Sequence, residues 1–132
     1  MCIRDSDNAV VIGGADRFPD CRARADELLA PVGGKTVPEF EDLLAMRPDA
    51  VVIASNGKLQ VEHSCLAMEA GCHVLSEVPG AATAQELIQL RDCVERNGIT
   101  YMLGANSCFL DSLRYWHKWI GHGSLGPISM AD

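Results

Sequence analysis

The sequence has no apolar segment approaching the roughly 20 residues that a membrane-spanning helix needs, and no signal-like leader. Basic residues are also scarce, because 11 Lys and Arg stand against 18 Asp and Glu, for a net charge of -7. Nucleic-acid binders present clustered basic side chains to the phosphates. We therefore expect a cytoplasmic protein with no nucleic-acid partner and no membrane partner.

The six cysteines include no C-x-x-C pair, which is the spacing typical of zinc sites. Disulfide frameworks belong mainly to small secreted chains with poor cores, whereas 48% of this chain is hydrophobic. We therefore expect reduced thiols. The closest approach to a metal-ligand cluster is the set His63, Cys65, Cys72 and His73, which is divided between a predicted helix and the following strand. No metal site is expected.

The length of 132 residues suits one domain and is short for a two-domain enzyme. Met1 to Ser6 have neither helical nor strand periodicity, and the codons that these residues imply resemble a sequencing-library transposon end. We expect residues 1–6 to be a non-native leader. Pro127 to Asp132 resemble the beginning of a strand without a stop signal, so we expect the chain to be cut at both ends.

From Asp7 onward, short apolar runs alternate with longer segments of helical spacing, which is typical of strand–helix units in a parallel sheet. The predicted strands are 9–12, 35–37, 50–54, 73–76 and 99–103, and the predicted helices begin near residues 19, 38, 59, 84 and 110. The continuous apolar run Ala50 to Ala54 predicts a strand covered on both faces. Thr83 and Glu86 have the spacing of a helix capping box.

Three linked segments carry a resemblance to a known family. They are PDAVVIA at 48–54, VEH at 61–63 and EAGCHVLSEVP at 69–79, and together they resemble the Gfo/Idh/MocA dehydrogenases. Similarity at 102–106 and 123–128 extends the resemblance over the chain after Ser6. The resemblance implies an α/β fold of the Rossmann type with a doubly wound parallel sheet. It also implies NAD(P) binding and hydride transfer to or from a sugar, polyol or related small alcohol.

The glycines after Ile12 do not form the G-x-G-x-x-G loop of a dinucleotide-binding domain. In addition, only one strand–helix unit separates them from Ala50 to Ala54, whereas a first strand should be followed by two units. The run 9–12 is therefore the second strand, and we expect the first strand and the glycine-rich loop to be missing. We expect residues 7–122 to form a partial NAD(P)-binding Rossmann domain and residues 123–132 to begin a second, truncated α+β domain.

The resemblance places Asp16 where an acidic side chain accepts hydrogen bonds from the adenosine ribose, which favours NAD as the cofactor. Arg17 weakens that preference and leaves NADP open. A carboxylate at a turn or helix entry explains Asp16 equally well.

Ser55, Asn56, Gly57 and Gln60 follow a strand at the topological switch point, where open parallel sheets bind ligands. We expect them to line the dinucleotide. Loop chemistry alone explains the Asn-Gly pair almost as well.

The Glu-Lys-Pro motif of the family reads Glu77-Val78-Pro79 in this sequence. The lysine of that motif lies near the nicotinamide and the substrate, where an ammonium group polarises the reacting oxygen. Val78 lacks that group, so we expect no catalytic residue and no substantial turnover in this chain. Glu77, Val78 and Asn106 remain candidates for cofactor contact.

The resemblance also implies a small-molecule substrate and a homo-oligomeric full-length protein. Because Val78 replaces the lysine, an alternative is a nucleotide-binding regulatory or sensing protein that kept the fold and lost the chemistry. Another Rossmann-type enzyme, such as a methyltransferase, is disfavoured because the Glu-Val-Pro segment has no role there.

The missing first strand leads to a prediction about solubility. In the strand order 3-2-1-4-5-6, strand 1 lies between strands 2 and 4, so its absence leaves two apolar edges unpaired. Exposed edges promote association. We expect the isolated chain to be poorly soluble and to self-associate in size-exclusion chromatography. A sharp monomer peak with cooperative melting would contradict this expectation.

Overall fold

A computed structural model describes residues 8–124, 126 and 127 of the chain. The strands are β1 (Gly13–Ala15), β2 (Lys35–Val37), β3 (Ala50–Ile53), β4 (His73–Ser76) and β5 (Tyr101–Leu103). The helices are α1 (Pro19–Leu29), α2 (Phe40–Leu44), α3 (Gly57–Glu69), α4 (Ala84–Asn97) and α5 (Asp111–Gly121). Strands and helices alternate as predicted, and no helix in this part of the chain is long and apolar enough to cross a membrane. The expected leader, 1–6, and most of the expected second-domain segment lie outside the described residues.

The described strands form two separate parallel sheets. One sheet pairs β1 with β2, and the other has the order β3-β4-β5. In the Rossmann order 3-2-1-4-5-6, these sheets correspond to strands 3-2 and 4-5-6. The place of strand 1, between β1 and β3, holds no strand among the described residues, and we name this place the open strand position.

The first strand differs from its predicted location. The run 9–12 predicts a strand, but the ladder begins at Gly13, which lies opposite Lys35. The pairing of β1 with β2 begins at Lys35, the first residue of β2. Just before β1, the Ile12 carbonyl accepts a hydrogen bond from Lys35 N–H at 3.4 Å. The apolar run is only partly covered, because Val11 is half-buried whereas Val10 is 70% exposed. The prediction of a strand over 9–12 is therefore wrong.

The hydrophobic core lies between the β3-β4-β5 sheet and helices α3 and α4. Its buried members are Val51, Ile53, Val61, Cys65, Ala67, Met68, Cys72, Val74, Leu90 and Cys93. Burial raises the pKa of the Cys65 thiol to about 12, which suits a packing residue and not a nucleophile. Each of the five described cysteines is a free thiol.

Among the described residues, no helix of the core cluster covers the other face of the same sheet, which we call the bare face. Along β3, Ala50 and Val52 are exposed whereas Val51 and Ile53 are buried. The prediction that this strand is covered on both faces is wrong for the described residues, because α3 and α4 contribute to the core cluster on one side only. Apolar side chains on the bare face, such as Val52 and Met102, remain about half exposed.

Local sequence signals predict the start of α4 correctly and miss the start of α3 by two residues. The capping box of α4 is confirmed, because Thr83 Oγ1 accepts from Glu86 N–H and Glu86 Oε2 accepts from Thr83 N–H, each at 3.1 Å. Helix α3 begins at Gly57, two residues before the predicted Leu59. The Asn-Gly pair was expected to form a loop, but Asn56 is the N-cap residue and its carbonyl accepts from Leu59 N–H at 2.9 Å.

The contrast between the two faces can be tested with a pair of methionine substitutions. Met68 is 1% exposed and Met102 is 49% exposed. We expect Met68→Ala to lower the free energy of unfolding by about 2–5 kcal/mol, because it opens a cavity in the core. The matched Met102→Ala should change it by less than about 0.5 kcal/mol. Denaturant unfolding followed by circular dichroism measures both, and equal losses would contradict the one-sided core.

Candidate functional site

The loop after β4 is held in place by one buried side chain, Gln60 of α3. Its Nε2 donates to the carbonyl oxygens of Glu77 at 3.0 Å and Val78 at 3.4 Å. Its Oε1 accepts from Gly80 N–H at 3.1 Å. Gln60 is only 2% exposed, and its bond to Gly80 N–H is buried, so this amide would lose its partner without Gln60. An unsatisfied buried group costs about 1–3 kcal/mol, so the amide fixes the loop backbone.

This anchoring determines what the loop presents to the solvent. Glu77 N–H donates to the Ile53 carbonyl at 2.8 Å, which continues the pairing of β3 and β4 to the edge of the sheet. Gly80 has a φ of 76°, and a Cβ there would lie 2.8 Å from Leu103 Cδ1, so only glycine fits without a shift. The side chains of Glu77 and Val78 are exposed, and Val78 is 55% exposed.

Ser55 follows β3 and has an unforeseen partner in His63. Ser55 Oγ lies 2.6 Å from His63 Nδ1, and the imidazole stacks on the Phe40 ring with centroids 4.6 Å apart. His63 thereby ties the end of β3 to α2 and α3. The analysis of the sequence missed this residue as a member of the site. No sequence motif links His63 to Ser55, eight residues earlier. The orientation of the His63 ring depends on its stacking against Phe40, which the sequence does not indicate.

Asn56 and Gly57 open the N-terminal end of α3. Asn56 has an exposed side chain that makes no cap hydrogen bond. A Cβ added to Gly57 would meet nothing within 4 Å, so the first turn of α3 is open on that side. Helix N-termini favour anionic ligands through their free N–H groups.

Asp16 and Arg17 follow β1. Asp16 Oδ1 accepts from Phe18 N–H at 2.8 Å, so the turn role of this carboxylate is realised. Arg22 Nη1 donates to the Asp16 carbonyl at 2.7 Å and fixes the backbone there. The Arg17 guanidinium lies 4.9 Å from the centroid of the Phe18 ring. Its charge is thus held against an aromatic face.

The candidate residues therefore share one kind of location. Asp16 and Arg17 follow β1; Ser55, Asn56 and Gly57 follow β3; Glu77 and Val78 follow β4; and Asn106 begins a short 3-10 turn after β5. Parallel strands bring their carboxyl ends to one edge of a sheet, and the switch point between β1 and β3 is where such sheets bind ligands. Gln60 differs from the others, because it lies beneath the β4 loop and contacts its backbone. Within residues 8–124, no three His, Cys, Asp or Glu side chains are grouped to hold a metal ion.

The anchoring role of Gln60 gives a direct prediction. We expect Gln60→Ala to lower the free energy of unfolding by about 1–3 kcal/mol and to accelerate hydrogen exchange of the Gly80 amide, because its acceptor is removed. The matched Gln89→Ala, on the exposed face of α4, should change stability by less than about 0.5 kcal/mol. Unchanged exchange at Gly80 in the Gln60 variant would contradict the anchoring role.

Comparison with known sequences identifies the family of the chain. The sequence profile of the Gfo/Idh/MocA family, described as an oxidoreductase family with an NAD-binding Rossmann fold, matches residues 15–105. D-glucoside 3-dehydrogenase of Escherichia coli strain K12 is 31% identical over 86 residues, which are 65% of this chain and 24% of that protein. The scyllo-inositol 2-dehydrogenase (NADP(+)) IolU of Bacillus subtilis strain 168 is 34% identical over 83 residues, which are 60% of this chain and 25% of that protein.

Comparison with solved structures confirms the predicted fold. The apo scyllo-inositol dehydrogenase from Lactobacillus casei matches with a TM-score of 0.87 and 22% identity, over 96% of this chain and 38% of that one. The WlbA dehydrogenase from Bordetella pertussis, in complex with NADH and UDP-GlcNAcA, matches with a TM-score of 0.85 and 24% identity, over 95% of this chain and 36% of that one. The chain spans about a quarter of the curated relatives and just over a third of these structures. The profile match and the shared fold together show that the chain belongs to the Gfo/Idh/MocA family of oxidoreductases, whose NAD-binding domain has the Rossmann fold.

Proposed function

We propose that this chain is the nucleotide-binding part of an NAD(P)-dependent dehydrogenase that transfers hydride to or from a sugar, polyol or related small alcohol. The observation that carries the proposal is the placement of Asp16, Ser55 and Val78 after three parallel strands, at the edge where Rossmann sheets bind dinucleotides. The relatives support the substrate class, because two of them are named as a glucoside and an inositol dehydrogenase. A Lactobacillus casei homologue was crystallised with NAD(H) and scyllo-inositol.

We propose NAD as the preferred cofactor. One oxygen of the Asp16 carboxylate accepts a hydrogen bond from Phe18 N–H. The remaining lone pairs of the carboxylate can accept from ribose hydroxyls. Its negative charge would repel the 2'-phosphate of NADP. Arg17 offsets part of that repulsion, although its guanidinium lies over the Phe18 ring. NADP is therefore the weaker ligand in this proposal.

The chemistry of the β4 loop limits what this chain contributes to the reaction. A bound nicotinamide supplies or accepts the hydride. Val78 holds no proton to transfer and offers an exposed apolar contact at the place of the family lysine. Ordering of the loop by Gln60 would position that contact. We propose that residues 7–122 are the nucleotide-binding domain and that residues 123–132 begin a second domain, which supplies the groups for proton transfer and substrate recognition.

One alternative function follows from Val78. A protein that keeps the nucleotide-binding edge and loses the ammonium group would sense a nicotinamide nucleotide without catalysing hydride transfer. Both functions require cofactor binding, so binding and turnover have to be measured separately.

Cofactor binding is tested by titrating NAD+ and NADP+ into the ¹⁵N-labelled chain. Because no G-x-G-x-x-G segment follows a strand among the described residues, we expect this chain to bind weakly, with a dissociation constant of about 1 mM or higher. NAD+ should shift the amide resonances of Asp16, Ser55 and Val78. Asp16→Asn should lower the ratio of the affinity for NAD+ to the affinity for NADP+ by about tenfold, or about 1.4 kcal/mol. The matched Asp20→Asn should leave this ratio unchanged. Shifts confined to other residues would contradict the proposed site.

Turnover is tested in the two-domain enzyme that contains this segment, with scyllo-inositol and D-glucosides as candidate substrates. Hydride transfer by the protein with Val78 would exclude the sensing alternative. Val78→Lys should raise kcat by about 100-fold or more, the usual range for an added proton-transfer group, whereas Val78→Met should not. Cofactor binding without turnover in both the parent and the lysine variant would contradict the dehydrogenase proposal.

A further inference from the structure

The side chain of His63, on α3, contacts two other parts of the fold. Its Nδ1 lies 2.6 Å from Ser55 Oγ, and Ser55 is the second residue after β3. Its ring stacks on Phe40 of α2 with an interplanar angle of 18°. Phe40 in turn packs against the hydrophobic core. The imidazole therefore lies between the core and the end of β3, with Nδ1 facing the Ser55 hydroxyl.

The distance between Ser55 and His63 indicates which group donates. Hydrogen bonds donated by a hydroxyl to oxygen span about 2.5–3.0 Å, whereas those donated by N–H span about 2.7–3.2 Å. The separation of 2.6 Å lies within the first range and below the second. It therefore favours donation by Ser55 Oγ–H to an unprotonated Nδ1. In that arrangement a neutral His63 carries its proton on Nε2.

The charged groups around His63 fit a neutral ring. A carboxylate partner would favour the charged imidazolium, in which both ring nitrogens donate. Within residues 8–124, no carboxylate forms an ion pair with His63. The charged side chains that flank its contacts along α2 and α3 are exposed, and they are Glu39, Glu41, Lys58 and Glu62.

The direction of this hydrogen bond decides what Ser55 offers to a ligand. A serine hydroxyl has one proton to donate and two lone pairs that accept. When the proton points to His63, Ser55 can only accept from a ligand. It then suits a ligand hydroxyl, such as those on the riboses of a dinucleotide, and does not suit a phosphate oxygen, which also accepts. Ser55 is half-buried and follows β3 at the proposed cofactor edge.

We propose that His63 is a positioning residue that makes Ser55 a hydrogen-bond acceptor for a ribose hydroxyl of the bound dinucleotide. This role rests on the proposed cofactor binding, and it adds the part of the ligand that Ser55 recognises. His63 acts through Ser55 only. Because the ring orients the hydroxyl before the ligand arrives, less freedom is lost on binding.

Two substitutions of His63 separate positioning from packing. His63→Phe keeps a ring that can stack on Phe40 and removes the acceptor. His63→Asn removes the stack and keeps an acceptor, because Asn Oδ1 stands as many bonds from the backbone as His Nδ1. We expect His63→Phe to weaken NAD+ binding by about fivefold, and His63→Asn to stay within about twofold of the parent. A packing role predicts the reverse order. Isothermal titration calorimetry of the two-domain enzyme that contains this segment measures the affinities.

A double-mutant cycle shows whether His63 acts through Ser55. We expect Ser55→Ala to weaken NAD+ binding by about fivefold or more, and the addition of His63→Phe to weaken it no further. The matched control is His73→Phe, which also removes an Nδ1 acceptor, here of Thr100 N–H at 3.2 Å. His73 begins β4, at the opposite end of the parallel sheet from Ser55, so this control should leave the affinity unchanged.

Analogues of NAD+ that each lack one ribose hydroxyl identify the group that Ser55 recognises. One of them should bind equally to the parent and to His63→Phe, because Ser55 then has no hydroxyl to accept from. A difference between the two proteins that persists with every analogue would overturn the recognition of a ribose hydroxyl.

The tautomer of His63 can be measured without any substitution, so this measurement stands if a variant fails to fold. In the protein labelled with ¹⁵N-histidine, a long-range ¹H–¹⁵N spectrum at about pH 8 distinguishes a protonated from an unprotonated Nδ1. We expect Nδ1 of His63 to be unprotonated. A proton on Nδ1 would reverse the hydrogen bond and overturn the proposal.

The binding experiments distinguish failure of this role from failure of the proposed function. NAD+ binding that is unchanged in His63→Phe would overturn the positioning role and leave the proposed function intact. Additive losses in the double variant would show that His63 does not act through Ser55. No NAD+ binding by the parent enzyme would contradict the proposed function, and the positioning role with it.

Discussion

The buried amide of Gln60 links the core of the protein to its candidate functional edge. Helix α3 is packed against β3 and β4, and Gln60 extends from that packed helix to three backbone groups of the loop after β4. A polar side chain that is 2% exposed has to use its hydrogen bonds, and here the loop supplies the partners. The placement of Val78 therefore depends on core packing and is not a property of a free loop.

Much of the fold is predictable from local patterns. The run Ala50 to Ile53 is continuous and β-branched, and Thr83 with Glu86 satisfies the spacing of a capping box, so both elements form as expected. Each of these signals lies within a few residues of the structure it specifies. The resemblance to a family adds the strand order, because it fixes which strand each apolar run represents.

The remaining features depend on contacts between distant residues. Whether 9–12 becomes a strand depends on what lies beside it, and among the described residues Lys35 N–H donates to the Ile12 carbonyl over a long 3.4 Å. The sheet face that carries Val52 is exposed because helices α3 and α4 both pack on the opposite face. The partners of Gln60 lie 17 to 20 residues away and form no motif. Local propensity therefore predicts neither the anchored loop nor the pairing of Ser55 with His63.

The central claim is that this chain is part of a Rossmann dinucleotide-binding domain, the fold in which an apolar first strand and a glycine-rich phosphate-binding loop precede the strand that corresponds to β1. Long-read sequencing of the source DNA across the codon for Asp7 tests it most directly. The account predicts an upstream segment in the same frame that encodes an apolar strand followed by G-x-G-x-x-G. A genuine start codon at this point, with no such loop upstream, would contradict it and favour a non-catalytic protein of the same fold.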